Sequence, residues 1–467
     1  MKKVFLGIVI LMISIFIGFK NNNNQKMIAV YLDNEYSSKI PDKNSDYVID
    51  RIVCDDDVKA SWDDDEWSLS INSIFKKTKC NLYFRTDKIT KDIIKSIDKS
   101  GKCPSLNSDS SLKVTSAETS ESLLCKGYDN LGISYYYRGN ITNNYVKFGK
   151  WSSNSPSVVY GYSTDNPSSN STYLMEYDSL KECESASSFN KHCIEVSKAN
   201  KDMYWRIVRI NGDGSIRLVY DGTSIHSNSE SNIDRYVGLS IFNKNNDDNA
   251  YLGYMYGNVG SSSYIETHKN INDSVMKKYL DNWYILNIRD TSNNKYIADS
   301  GFCDDRSIGE YNPNGYSNLG YGKNITSYRG DYGAWSAPED TNNAKMTFKC
   351  VNKNDFFTVD NNVGNQDLSY SIGLLNKDEV ILAGLANLGE KSNNYLYSAE
   401  DTIFWLMSPR IYSEKRSALI NCVWRTSLSC FSEPNTKLGV KLVINLKPGS
   451  LKSGDGTASS PYLLSVN

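Results

Sequence analysis

Tyr204-Trp205-Arg206-Ile207-Val208-Arg209-Ile210, then Asn211-Gly212-Asp213-Gly214, then Ser215-Ile216-Arg217-Leu218-Val219-Tyr220, is the stretch on which the fold turns. Two runs rich in β-branched and aromatic residues flank Asn-Gly and Asp-Gly pairs, which accept positive φ. That combination specifies a β-hairpin. The Asn211-x-Asp213-x-Ser215 spelling also resembles the start of a calcium loop, but the glutamate that closes such a loop is missing downstream.

On the N-terminal side of the hairpin, short strands separated by polar turns are predicted at Met27–Leu32, Tyr47–Cys54, Trp67–Ile71 and Cys80–Phe84. They make residues 27–86 a small all-β, sandwich-like module. The acidic clusters Asp55–Asp57 and Asp63–Glu66 read as solvated turns around Trp62 and Trp67. Ile89, Ile93, Ile94 and Ile97 share one helical face between Lys88 and Lys99, so 87–130 reads as a helix followed by a Ser/Thr/Asp-rich linker. Residues 131–467 form the large C-terminal region, and 149–201 within it is a Ser/Asn/Tyr-rich surface insertion. Two helices are predicted there, Ser274–Asn287 after Asn272 or Asp273 as cap, and Leu374–Leu382.

Ten cysteines fall into five sequential couples: Cys54/Cys80, Cys103/Cys125, Cys183/Cys193, Cys303/Cys350 and Cys422/Cys430. With no Cys-x-x-Cys and only three histidines, disulfides are favoured over zinc, and disulfides need an oxidising compartment. At the N-terminus Lys2 and Lys3 precede an uncharged apolar run from Val4 to Phe19, closed by Lys20. Residues 1–24 therefore read as a secretory signal peptide or a retained signal-anchor, which would tether the chain to the membrane. Both readings place it outside the cytoplasm, secreted or at a bacterial cell surface.

The formal net charge of −2 over 467 residues supplies no basic field for nucleic acid. Neither Gly-x-Ser-x-Gly nor His-Glu-x-x-His occurs. Tyrosine (33) outnumbers phenylalanine (14), which suits half-buried strands and also wet binding surfaces.

An ordered series of motifs carries a family resemblance: the 204–215 hairpin, Asp281-Asn282-Trp283-Tyr284, Asp299 through Phe302-Cys303-Asp304-Asp305-Arg306, Ile372-Gly373-Leu374-Leu375 with Asp378-Glu379, Trp405-x-Met407-Ser408-Pro409, and Gly439-Val440-Lys441-x-Val443-Ile444-Asn445-Leu446. From about Tyr135 onward it resembles a domain of unknown function found in exported proteins of gut Gram-positive bacteria. That family's ending is similar to C-type-lectin-like domains of the formylglycine-generating-enzyme kind. The resemblance implies an α+β fold of small twisted sheets, two helices and long loops. It departs at Lys441-Leu442, where Arg-Pro is usual, and a lysine replaces an arginine fork poorly.

The expected function is an adhesin-like binding protein presenting loops of that domain to a glycan or to a host or envelope protein. The candidate contact residues are Tyr254, Tyr256, Arg306, Tyr328, Tyr332 and Trp335. A formylglycine-type enzyme would need a reactive pair, for which Cys422 and Cys430 are the candidates, and a purely structural envelope component is the third reading. No cofactor is expected; calcium is a candidate at Asp247/Asp248 or Asp304/Asp305.

Overall fold

In a computed structural model of the chain, the structure describes residues 26–55, 58–72, 78–114, 121–163, 175–186, 191–228, 230, 232–309, 317–329, 345–385, 393–396, 403–413, 417–424 and 430–464. The signal or anchor segment 1–24, Tyr332 and Trp335 lie outside them. Among the described residues no helix is long and apolar enough to cross a membrane.

The hairpin forms as its turn residues require. Asp202–Ile210 pairs antiparallel with Ile216–Gly222, and Asn211 N closes the turn by donating to Ser215 O at 2.8 Å. Gly212 is obligatory here, because a Cβ on it would lie 2.1 Å from the backbone nitrogen of Gly132. The hairpin is the middle of a nine-stranded sheet. On one side Ile216–Gly222 continues through Leu442–Leu446 to Gly373–Leu374. On the other, Asp202–Ile210 continues through Tyr145–Lys150 and Tyr462–Leu464 to Leu451–Ser453. The Ser122–Asp129 and Gly132–Gly139 hairpin joins the same edge of Asp202–Ile210.

A six-stranded sheet is built on Ile403–Ser413 and Ser417–Trp424, with Leu438–Gly439, Leu239–Ser240, Phe431–Ser432 and Thr326–Ser327 added. Trp205 and Ile444 from the first sheet and Trp405 and Ile420 from the second belong to one buried apolar cluster. The 149–201 stretch adds a three-stranded sheet, Met175–Tyr177, Val158–Ser163 and Lys191–Val196, with the Leu180–Ser185 helix beside it.

The N-terminal segment makes a separate four-stranded sheet in the order Glu35–Ser37, Lys26–Leu32, Thr78–Thr86, Tyr47–Cys54. A Lys59–Asp63/Ser68–Asn72 hairpin covers one face, and Val30, Leu82, Phe84 and Trp62 form its small core. Among the described residues between Cys103 and Cys125, Ser105–Leu106 and Leu112–Lys113 pair, and the latter also pairs with Lys345–Met346.

The α+β, lectin-like expectation is overturned. The chain is mostly β, with 39% strand against 15% helix spread over many sheets. The first expected helix is present at its full length, Val275–Tyr284 continued by a π-helical turn over Ile285–Arg289, and the second is shorter than expected because Leu374 belongs to a strand. Val275–Tyr284 starts on Ser274, whose Oγ accepts from Lys277 N at 3.0 Å, because Asn272 and Asp273 are committed to strand pairing. Lys377–Leu382 has a capping box between Asn376 and Glu379.

All five cysteine couples are disulfides: Cys54–Cys80, Cys103–Cys125, Cys183–Cys193, Cys303–Cys350 and Cys422–Cys430. They are the mark of an oxidising environment. Their loops span 47 residues at Cys303–Cys350 and 8 at Cys422–Cys430. Chain entropy then assigns them roughly 4 and 2.5 kcal/mol. Replacing both cysteines of the longer loop by alanine should cost more stability than replacing both of the shorter, as read by urea unfolding midpoints.

Candidate functional site

Met255–Tyr256 pairs antiparallel with Asn272–Asp273 and closes the intervening chain into a lobe. Inside it Gly257 N donates to Thr267 O and Asn258 N to Glu266 O, both at 2.8 Å, and Ile271 N donates to Tyr256 O at 3.2 Å. A Cβ on Gly257 would sit 2.0 Å from Glu266 O, so only glycine permits that approach. The short Tyr264–Thr267 helix lies within the lobe, and the Tyr264 ring packs against Gly320, which brings 317–322 alongside.

Arg306 holds this lobe from beneath. Its Nη1 donates to Met255 O at 2.8 Å and its Nη2 to Asn270 Oδ1 at 2.9 Å, while Nε donates to Asp355 Oδ1 at 2.8 Å. Tyr264 OH donates to Arg306 O at 2.8 Å. The guanidinium is buried, and Asp355 is its counter-ion at 2.7 Å. Asp304 is 3.9 Å away and accepts from Tyr254 N at 2.7 Å; burial pushes its carboxyl well above the ordinary value despite Arg306. Burial likewise disfavours the Asp305 anion, but Arg329 and Ser307 outweigh it and hold that carboxyl below the usual range. Arg329 ties Asp305 to Asp378. His268 is buried against Tyr264, their ring centroids 3.9 Å apart, and burial with the Arg306 charge drives its pKa down to about 2.

The expected contact residues therefore divide. Tyr254, Tyr328 and Arg306 come together but are fully buried, so they support the lobe and present no surface to a ligand. Tyr328 OH donates to Asn249 Oδ1 at 2.8 Å, well inside the core. Tyr256 is half-buried, edge-on to Tyr251 with centroids 5.6 Å apart. Three of the four calcium candidates are engaged by protein donors. Asp248 accepts from Ala250 N and Gly260 N, each at 2.9 Å, and Asp304 and Asp305 face arginines. Asp247 is exposed on the other side of that turn. Among the described residues no three His, Cys, Asp or Glu side chains are grouped to hold a metal. Cys422 and Cys430 are joined to each other, so neither is a thiol.

What the sequence reading missed is aliphatic. Ile265 is 71% exposed and Ile271 61%, with Val259 also exposed on the lobe and Leu319 exposed on the adjacent 317–322 segment. Each is an isolated apolar residue in an Asn/Ser/Gly-rich stretch, with no period to mark its direction. Around them lie Asn258, which donates to Glu266, and the Glu266–Lys269 ion pair at 2.6 Å.

A second buried charge group sits on the central hairpin. Asp221 faces Arg235 at 2.7 Å, Lys441 at 3.3 Å and Arg206 at 3.7 Å, all buried. Lys441 thus fills a polar position, and burial pulls its pKa down to about 8 against the opposing pull of Asp221. Nearby, His226 lies 2.7 Å from both Glu230 and Asp234. Burial alone disfavours the imidazolium, but the hydrogen bonds and charges of Asp234 and Glu230 outweigh it and raise the pKa.

No family model matches the chain, and neither the curated proteins nor the solved structures return a match.

Two outcomes follow for these clusters. Arg306→Ala leaves Asp355 buried without its counter-ion and should destabilise by about 3–5 kcal/mol, with amide exchange rising first in 255–273. His226 binds its proton more tightly folded than unfolded, so its stabilisation is complete below the unfolded pKa and is lost as pH rises through the raised folded value. The gap in thermal midpoint between wild type and His226→Gln should therefore be wider at pH 5.5 than at pH 8.5.

Proposed function

We propose that the protein works outside the cytoplasm as an adhesin-like binding protein whose 255–273 lobe docks against another protein. The observation that carries this is the pairing of exposed Ile265 and Ile271 with a fully buried Arg306 that fixes the loop bearing them. An apolar centre with a polar rim is the anatomy of a protein interface, and a lobe ordered before binding loses little entropy on docking. Aliphatic side chains offer a glycan little, so the reading commits to a protein partner. The five disulfides suit a chain that works in an oxidising medium.

The test compares the full chain with an Ile265→Asp/Ile271→Asp variant, both side chains being exposed enough to leave folding intact. Proteins captured from host-surface or envelope extracts by the wild type are purified and their affinities measured directly. A partner whose Kd weakens at least tenfold for the variant, with an unchanged thermal midpoint, supports the assignment. Equal affinity for both chains, or no protein distinguishing them, removes it.

A further inference from the structure

The N-terminal sheet carries a feature independent of that lobe. Tyr36, Tyr31, Tyr83 and Arg51 occupy one cross-strand row, one residue from each of its four strands. The pairing registers set them side by side: Tyr31 opposite Tyr36, Tyr31 opposite Tyr83, and Arg51 opposite Tyr83. Side chains alternate along a strand. Since Val30, Leu82 and Phe84 point into the small core, Tyr31 and Tyr83 point away from it.

The row is ordered. Tyr31 and Tyr83 stack with centroids 4.6 Å apart and planes 13° from parallel. Tyr36 meets Tyr31 edge-on at 6.0 Å and 78°. The Arg51 guanidinium lies 3.9 Å over the outer face of Tyr83. It is fixed further by Asn34 Oδ1, 3.0 Å from Nη2, and by Asp50 Oδ2, 2.5 Å from Nη1. Three inter-strand spacings make the row roughly 14 Å long. Tyr36 is 72% exposed, with a ring available for stacking. Tyr31 and Tyr83 beside it are half-buried, and the exposed Arg51 guanidinium extends the surface as a hydrogen-bonding group.

We infer that this row is a binding platform for an uncharged polysaccharide. The chemistry selects that occupant over others. A sugar ring presents an apolar C–H face that packs on an aromatic ring and a rim of hydroxyls that pair with phenols, amides and guanidinium forks. The row itself is aromatic and guanidinium throughout, with exposed Met27 and Val53 flanking it on the same face. Charge around it is balanced, with Asp33, Glu35 and Asp50 against Arg51, Lys79 and Arg85, which gives an anionic polymer nothing to follow. Rigid tyrosines also cost little entropy to use, having two side-chain torsions each. No catalytic step is involved; the row binds.

The experiment is affinity electrophoresis of the full chain through gels containing soluble starch, xylan, mannan or β-glucan. Retardation by at least one polymer, with affinity falling tenfold or more in Tyr36→Ala and in Arg51→Ala at unchanged thermal midpoint, is the expected result. Tyr36→Phe should keep most of the binding, because it keeps the ring. The Ile265→Asp/Ile271→Asp variant should be retarded like wild type, which separates this platform from the lobe. No retardation in any polymer, or equal retardation of wild type and Tyr36→Ala, overturns the inference. So does a Tyr36-dependent dimer in sedimentation, which would give the row to a second copy of the chain.

Discussion

A guanidinium taken into a β-sheet core must bring its counter-charge with it, and Arg217 is where that requirement organises the molecule. It lies in the middle strand of the large sheet, with Nε 2.6 Å from Glu379 Oε1 and both side chains almost wholly buried. Arg209, one strand away, reaches the same carboxylate at 3.4 Å and Asp129 at 3.7 Å. Asp129 in turn accepts from Gly212 N in the hairpin turn at 3.0 Å. Glu379 is held by its own capping box, so the Lys377–Leu382 helix is oriented by the charge it answers. Chain segments 129, 209–217 and 379 are thereby locked together by pairing that a shifted register would break. Removing either partner would strand a buried charge, which is far costlier than the pair is favourable.

That constraint explains what could and could not be read from the residues. The 204–220 hairpin was legible because its turn letters and β-branched runs agree at short range. The cysteine couples were legible because each disulfide closes a local loop. Burial of Tyr254, Tyr328 and Arg306 was not, because it depends on Asp304, Asn249 and Asp355 arriving from elsewhere in the chain. A tyrosine in a Gly/Asn-rich loop looks the same whether its ring faces water or the core. The sheet arrangement of the large region was obscured for a related reason. Many of its strands are two residues long, such as Phe302–Cys303 and Leu438–Gly439, and exist only through their partners. The helices, with their periodicity and caps, stood out in the sequence beyond their share of the fold.

The aromatic row had a subtler cause of invisibility. Tyr31, Tyr36, Arg51 and Tyr83 belong to no motif, and their adjacency is a product of register alone. Moving one strand by a single residue would turn its row member into the core. The Cys54–Cys80 disulfide joins two directly opposed residues of the outer pair of strands, so it pins that register covalently. The bridge therefore does more than restrict the unfolded chain; it keeps Arg51 opposite Tyr83.

The two surfaces differ in chemistry as well as in place. One is aliphatic and sits on a loop held by a buried ion pair; the other is aromatic and sits on strands whose register a disulfide holds. Surfaces of such different character do not compete for one partner. A chain that engages a polysaccharide at one site and a protein at the other gains from the first contact an effective concentration for the second. Each contact can then be weak alone while the joint attachment persists. Rigid presentation is the condition for that gain, because a mobile lobe or a slipping strand would return the advantage as ordering entropy. The buried Arg306 and the Cys54–Cys80 bridge meet that condition by different means, one electrostatic and one covalent.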